Sequence, residues 1–218
     1  MISLVSRVYS LPSRAAGTRK DTPRVYARVG KRLFDLFLTG LLTALVLIWL
    51  VPLIALAISL TSPGPVIFAQ LRTGRNGRPF RCLKFRTTVY HPRKKYHATH
   101  QQQADVTPVG RFLRSSRLEE VPIFFNVLLG DMSLVGPRPH TLQYDAQYWT
   151  VPGYRERQTM RPGLTGLVQT RLDTAATPGL IQLPYAFRYD RWYARQHSLW
   201  LDFKICWWAI TSRSKALS

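Results

Sequence analysis

Residues 36–60 read LFLTGLLTALVLIWLVPLIALAISL, twenty-five positions without a charged side chain. As one helix they reach about 37 Å, more than the roughly 30 Å of bilayer hydrocarbon, so length alone lets the segment cross a membrane. Two features of the same stretch point elsewhere. Pro52 lacks a backbone N–H and bends a helix, which divides the run into a long piece and a short one. Lys31 and Arg32 precede the segment and Arg72, Arg75 and Arg78 follow it, and basic residues at both ends favour two ends on the cytoplasmic side. A bent, re-entrant helix hairpin satisfies both observations. A full span and a buried helix of a soluble domain are the alternatives. The expected fold is therefore α+β and mainly helical, with an N-terminal re-entrant membrane helix hairpin over 29–61 and a small, loop-rich cytoplasmic domain after it.

Toward the N-terminus, the first 32 residues hold eight Lys/Arg against one acid, Asp21. Residues 1–28 read as a flexible basic arm, suited to an anionic leaflet. Toward the C-terminus, Ser62-Pro63-Gly64-Pro65 reads as a turn, and Val66-Ile67-Phe68 and Phe80 to Phe85 as short extended pieces around a basic loop punctuated by Gly74 and Gly77. Residues 90–108 read as a polar surface loop, and a helix is expected over Leu118–Leu129. Gly136-Pro137, Pro139, Pro152-Gly153 and Pro162-Gly163 make the middle irregular. The stretch Leu199 to Ile210 is apolar and tryptophan-rich but too short to span. It reads as an interfacial helix, with core packing as the alternative. The catalytic domain is set at 62–212 and a tail at 213–218.

Composition agrees with a folded domain that meets anions. The 218 residues carry a formal net charge of +20, with 46% hydrophobic and 12% aromatic residues, which excludes wholesale disorder and favours phosphate-bearing partners or acidic lipid. Cys82 and Cys206 stand alone and the five histidines lack ligand spacing, so no zinc site is expected. A nucleic-acid reader is disfavoured, because no reader module appears and the apolar segment would go unexplained.

Four basic clusters lie along the expected domain: Gln70–Gly77, Lys84-Phe85-Arg86, Arg111–Arg117 and Gly136-Pro137-Arg138-Pro139. Arginine's planar fork matches phosphate oxygens, and arginines set between Gly and Pro sit on stiff backbone. Acidic residues are scarce, so the adjacent Glu119-Glu120 at the start of an apolar helix stands out. Neighbouring helical side chains diverge by about 100°, so the two carboxylates cannot serve the same atom. One can attack or bind metal while its neighbour positions a group or takes a proton. Ser116-x-x-Glu119 equally fits a capping box, and the residues leave catalysis and capping open.

The order of motifs resembles the bacterial sugar transferase family, the monotopic polyprenyl-phosphate phosphoglycosyl transferases. The matching residues are Lys31-Arg32-Leu33-Phe34-Asp35, Ser62-Pro63-Gly64-Pro65, Gln70 to Gly74, Lys84-Phe85-Arg86-Thr87, Gly110 to Arg114, Asn126 to Pro139, Arg161 to Gly166, and Tyr189-Asp190-Arg191-Trp192-Tyr193. The resemblance implies a re-entrant membrane helix and a two-step covalent reaction. A carboxylate attacks the β-phosphate of a UDP-sugar, releases UMP, and passes the phosphosugar to undecaprenyl phosphate, with Mg²⁺ required. The nucleophile's place falls on Glu119, also the candidate metal ligand, and that of its proton-handling neighbour on Glu120. The phosphate-binding arginine falls on Arg114, and the donor-associated Pro-Arg-Pro on Pro137-Arg138-Pro139. Arg72, Lys84, Arg86 and Asp190 complete the candidate phosphate- or substrate-binding set. The implied setting is the bacterial inner membrane with the catalytic domain facing the cytoplasm, anionic inner-leaflet lipids as neighbours, no nucleic acid, and a homo-oligomer left open.

The main departure is Arg117-Leu118-Glu119-Glu120-Val121-Pro122-Ile123, where the family has Ser-Leu-Asp-Glu-Leu-Pro-Gln. Glutamate is one methylene longer than aspartate, yet glutamates do serve as nucleophiles. The alternative is therefore a catalytically impaired member that binds lipid phosphate or a partner at the membrane.

Overall fold

The computed structural model describes residues 29–90, 105–151, 153–171 and 179–214. The basic arm over 1–28, positions 91–104 of the expected surface loop and the last four residues lie outside them. The described chain is mainly helical with two small sheets, an α+β arrangement.

The apolar segment is helical from Lys31 to Thr61. It comprises α1 (Lys31–Leu42), a π-helical turn at Thr43–Leu47 and α2 (Ile48–Thr61). The helix runs on through Pro52, and the irregular turn lies just before it. Both are places where backbone bonding loosens and helices bend. Much of the outer surface is uncovered and apolar: Phe37, Trp49 and Leu60 are 73%, 78% and 78% exposed. The polar residues of α1 turn inward instead. Lys31 Nζ lies 2.9 Å from Asp35 Oδ1 and 2.9 Å from Asp202 Oδ2, and both aspartates are buried. Leu134 N–H donates to Asp35 and the Tyr193 hydroxyl donates to Asp202.

The first sheet is an antiparallel hairpin, β1 (Ile67–Thr73) and β2 (Pro79–Phe85), paired from Ile67↔Phe85 to Thr73↔Pro79. A 3₁₀ turn at Arg75–Gly77 closes it, with Asn76 and Gly77 at positive φ, as the punctuating glycines led one to expect. The expected 90–108 loop ends early: Val106 bridges Thr88, and Thr107 caps α3 (Pro108–Ser115) by accepting from Gly110 N–H. Gly110 lies directly on Thr87, so that a Cβ there would fall on the Thr87 carbonyl oxygen. Gly110→Ala should therefore cost roughly 1–3 kcal/mol through forced backbone displacement. An unfolding midpoint in detergent equal to the native one would show that this packing yields freely.

The expected helix over 118–129 is divided. Leu118–Glu120 form a 3₁₀ turn, and α4 covers Ile123–Leu129 behind Pro122, whose missing N–H removes a helical bond at the junction. Asn126 fixes α4 to the hairpin. Its Oδ1 accepts from Leu83 N–H at 2.9 Å and its Nδ2 donates to Arg81 carbonyl at 2.8 Å, so a side-chain amide serves the free edge of β2. At the other end of α4, Arg32 donates to the Val127 and Leu128 carbonyls and Arg161 to that of Gly130. Cations there satisfy orphan carbonyls and suit the helix dipole.

The irregular middle holds β3 (Ser133–Val135) parallel to β4 (Gly163–Thr165), with α5 (Leu142–Tyr148) and a 3₁₀ turn at Arg155–Thr159 between them. Then come α6 (Leu167–Arg171), α7 (Gly179–Gln196) and α8 (Leu199–Ser214). On α8 the usual sidedness is reversed: Asp202 and Ile205 are buried, whereas Trp200, Phe203, Trp207 and Ile210 face out. One core joins α4, β3, α7 and α8 through Val127, Met132, Val135, Tyr193 and Ile205. A second joins α2, β2 and α3 through Ile54, Ile58, Phe85 and Leu113, and Phe124 packs against both.

Candidate active site

Lys84, Arg114, Glu119, Glu120 and Arg138 come together from β2, α3, the 3₁₀ turn and the loop after β3. Lys84 Nζ is 3.1 Å from Glu120 Oε1 and 3.7 Å from Glu119 Oε1. Arg138 Nη2 is 3.1 Å from Glu120 Oε1. Arg114 Nε lies 3.8 Å from Glu119 Oε2 and donates to Thr87 Oγ1 at 2.9 Å. Side chains on a 3₁₀ turn step by about 120°, and the two carboxylates line different spaces. Glu119 faces a cleft of about 240 Å³ with Phe68, Lys84, Arg86, Tyr90 and Arg114 on its walls. Glu120 faces a cavity of about 10 Å³ with Arg72, Cys82, Lys84 and Arg138. Lys84 lines both.

The capping alternative fails here. The Ser116 hydroxyl turns back and donates to the Phe112 carbonyl at 2.7 Å. The residue that opens the turn is Arg117, with φ 57° and no side-chain cap. A left-handed conformation at a non-glycine residue is strained, and here it falls two residues before Glu119.

Burial pushes the Glu120 carboxyl up, but Lys84 and Arg138 outweigh it and hold it below the usual carboxylate range. Burial pushes the Cys82 thiol up and the Arg72 guanidinium down. Among the described residues no three His, Cys, Asp or Glu side chains converge on a metal position. Magnesium is commonly held by one or two carboxylates together with substrate phosphates. Glu119 fits that mode, because its nearest cations stand at 3.7 and 3.8 Å, beyond hydrogen-bond contact.

The other candidates are placed differently. Arg86 lines the cleft, but its two terminal nitrogens donate to the Ser62 and Pro63 carbonyls at 2.6 and 2.5 Å, tying the end of α2 to β2. Arg72 donates to the Pro139 carbonyl at 2.6 Å and to Gln70. Asp190 reaches neither space. It is 3% exposed and its Oδ2 lies 2.9 Å from both Nε and Nη2 of Arg157.

Sequence reasoning passed over Arg157, His140, Tyr154 and Asp145. Arg157 Nη1 contacts His140 Nδ1 at 2.7 Å, and Tyr154 donates to Asp145. Burial, then the charges of Arg157, Arg72 and Arg138, push the His140 ring down to about 2, so it stays neutral. No local spacing marks this network, since its members lie on three separate segments.

A family model described as bacterial sugar transferase matches residues 26–215. The chain belongs to the bacterial sugar transferase family. Its relatives in that family include the UDP-glucose:undecaprenyl-phosphate glucose-1-phosphate transferase of Caulobacter vibrioides. The two are 44% identical over 185 residues, covering 84% of this chain and 69% of the relative. A protein of the same name from Klebsiella pneumoniae is 43% identical over 179 residues, covering 81% of this chain and 38% of the relative. The exopolysaccharide production protein PSS of Rhizobium leguminosarum bv. phaseoli is 36% identical over 188 residues, covering 84% and 94%. This bacterial sugar transferase chain thus spans well under half the length of the Klebsiella relative.

Proposed function

We propose that the chain is a phosphoglycosyl transferase that moves a sugar 1-phosphate from a UDP-sugar to undecaprenyl phosphate. The observation that carries this reading is Glu119 at the cleft wall between Arg114 and Lys84, with Glu120 tied to Lys84 and Arg138, in a member of this family. Glu119 attacks the β-phosphorus, and the bond to the UMP oxygen breaks. Arg114 and Lys84 take up charge on the phosphoryl oxygens, and preorganised cations of this kind are strong transition-state stabilisers. Glu120, held ionised by Lys84 and Arg138, handles the acceptor's proton. An oxygen of the lipid phosphate then displaces Glu119 and carries away the phosphosugar, the first step of an exopolysaccharide or glycoconjugate. Mg²⁺, held through Glu119 and the donor's phosphates, would offset the diphosphate charge.

The anchor is a re-entrant hairpin on this reading. A straight helix over Lys31–Thr61 would reach about 46 Å, carrying its ends to opposite faces of a bilayer. Its first turn instead binds Asp202 of α8, and its last turns pack on β2 and α3. Both ends belong to one body, which supports the reading that this body lies on the cytoplasmic face of the inner membrane. The outward tryptophans of α8 lie at the lipid boundary, beside anionic lipids.

The test is UMP release by the full chain with Mg²⁺, undecaprenyl phosphate and a panel of UDP-sugars. Release is expected, and the part of its acid-side loss that reports Glu120 should lie below the usual carboxylate range, because Lys84 and Arg138 hold that carboxyl ionised there. A native protein that binds these ligands and releases no UMP from any of them would instead be the impaired, binding member of the family.

A further inference from the structure

Four successive carbonyls, those of residues 137 to 140, each accept a hydrogen bond from a different donor. Gly163 N–H bonds Pro137 at 2.9 Å and Thr73 N–H bonds His140 at 3.0 Å. Between them, Arg157 Nη2 bonds Arg138 at 2.8 Å and Arg72 Nη1 bonds Pro139 at 2.6 Å. Arg138 stands at the centre, with its backbone fixed and its half-exposed side chain reaching Glu120 at 3.1 Å. Its fixing donor, Arg157, is 5% exposed and spends Nε and Nη2 on Asp190 and Nη1 on His140. Asp190 comes from α7, so this support reaches the loop from a helix distant in sequence.

We propose that Arg157, held by Asp190, is a positioning residue for donor binding that acts through Arg138. The proposal rests on the reading of the site as one for a UDP-sugar. A planar guanidinium can hold Asp190, His140 and the Arg138 carbonyl at once, whereas a lysine ammonium lacks the fork. Without that grip the Arg138 carbonyl is released, and the side chain loses its aim at the donor. Coupling of this kind is read by a double-mutant cycle.

The experiment measures UDP binding by calorimetry on the full-length protein in nanodiscs, beside UMP release at saturating donor. Arg157→Lys should weaken UDP binding about tenfold, equivalent to a typical coupling between touching residues, with kcat within about threefold of native. Asp190→Asn, which keeps the shape of the pair, should shift binding in the same direction by a smaller factor and guards against misfolding of the first variant. In an Arg138→Ala background neither change should alter UDP binding by more than about twofold. Equal losses with and without Arg138, or a fall in active fraction with unchanged UDP affinity, would reduce Arg157 to a purely structural part and overturn the proposal. A native protein that neither binds UDP nor releases UMP would overturn the donor reading and this inference together. Normal native turnover with an additive cycle would overturn this inference alone.

Discussion

Glu119→Gln is expected to lower UMP release by at least about a thousandfold, because deleting a nucleophile removes the covalent route and leaves only binding and electrostatics. Glutamine keeps the length and one oxygen acceptor of the native side chain, so the cleft, Arg114 and Lys84 stay in place and donor affinity should hold. Glu120→Gln should be milder, in the range of about 10²–10⁴ for lost proton transfer, since Glu120 faces the other space. Glu119→Asp restores the family's usual residue on a backbone set for a longer one. A displacement of about 1 Å can cost roughly a hundredfold, and an aspartate variant slower than native would mark a site adapted to glutamate. Glu119→Gln that turns over at the native rate would remove Glu119 from the chemistry. Activity in Glu119→Asp alone would mean a site disabled by one methylene.

The largest effect on stability should come from Lys31→Met. Lys31 stands between Asp35 and Asp202, whose side chains are 1% and 0% exposed. Removing one partner of a buried ion pair leaves uncompensated charge and costs about 3–5 kcal/mol. Two buried carboxylates then face each other, with Leu134 N–H donating to one and the Tyr193 hydroxyl to the other. Adding Asp35→Asn and Asp202→Asn should recover most of the loss, since replacing a whole buried cluster by neutral groups is often tolerated. Chemical denaturation in detergent, followed by tryptophan fluorescence, reads both. A single variant as stable as native, or a triple variant no better than the single, would show that the charges are not what holds the helix foot.

The sequence made the outline legible wherever the signal was local. An unbroken apolar run marked the long helix over Lys31–Thr61, and Gly74 and Gly77 marked the hairpin turn. Two adjacent glutamates in an acid-poor chain marked the candidate site. What it could not show was direction. Arg86, Arg72 and Asp190 carry charges that suit a phosphate, yet they turn to the Ser62 and Pro63 carbonyls, the Pro139 carbonyl and Arg157. Charge is written in the residue type, but the partner is fixed by packing between distant segments. Ser116 shows the same limit at short range: the capping pattern was present, and its hydroxyl bonded the preceding turn instead. Asn126 carries no local sign of its role, because its amide meets the edge of β2 only in the folded chain.

Arg32 belongs to the first turn of the anchor, and it grips the carbonyls at one end of α4. The two glutamates stand just beyond the other end. No slack joins them, for α4 is seven residues of helix, about 10 Å at the usual rise. The foot of α1 and the glutamate pair thus form a ruler, with its zero mark at Arg32. On the proposed function that spacing helps set the height at which a lipid phosphate is met, and inserting a single turn into α4 should lower UMP release while leaving Glu119, Glu120 and their cations unchanged in sequence.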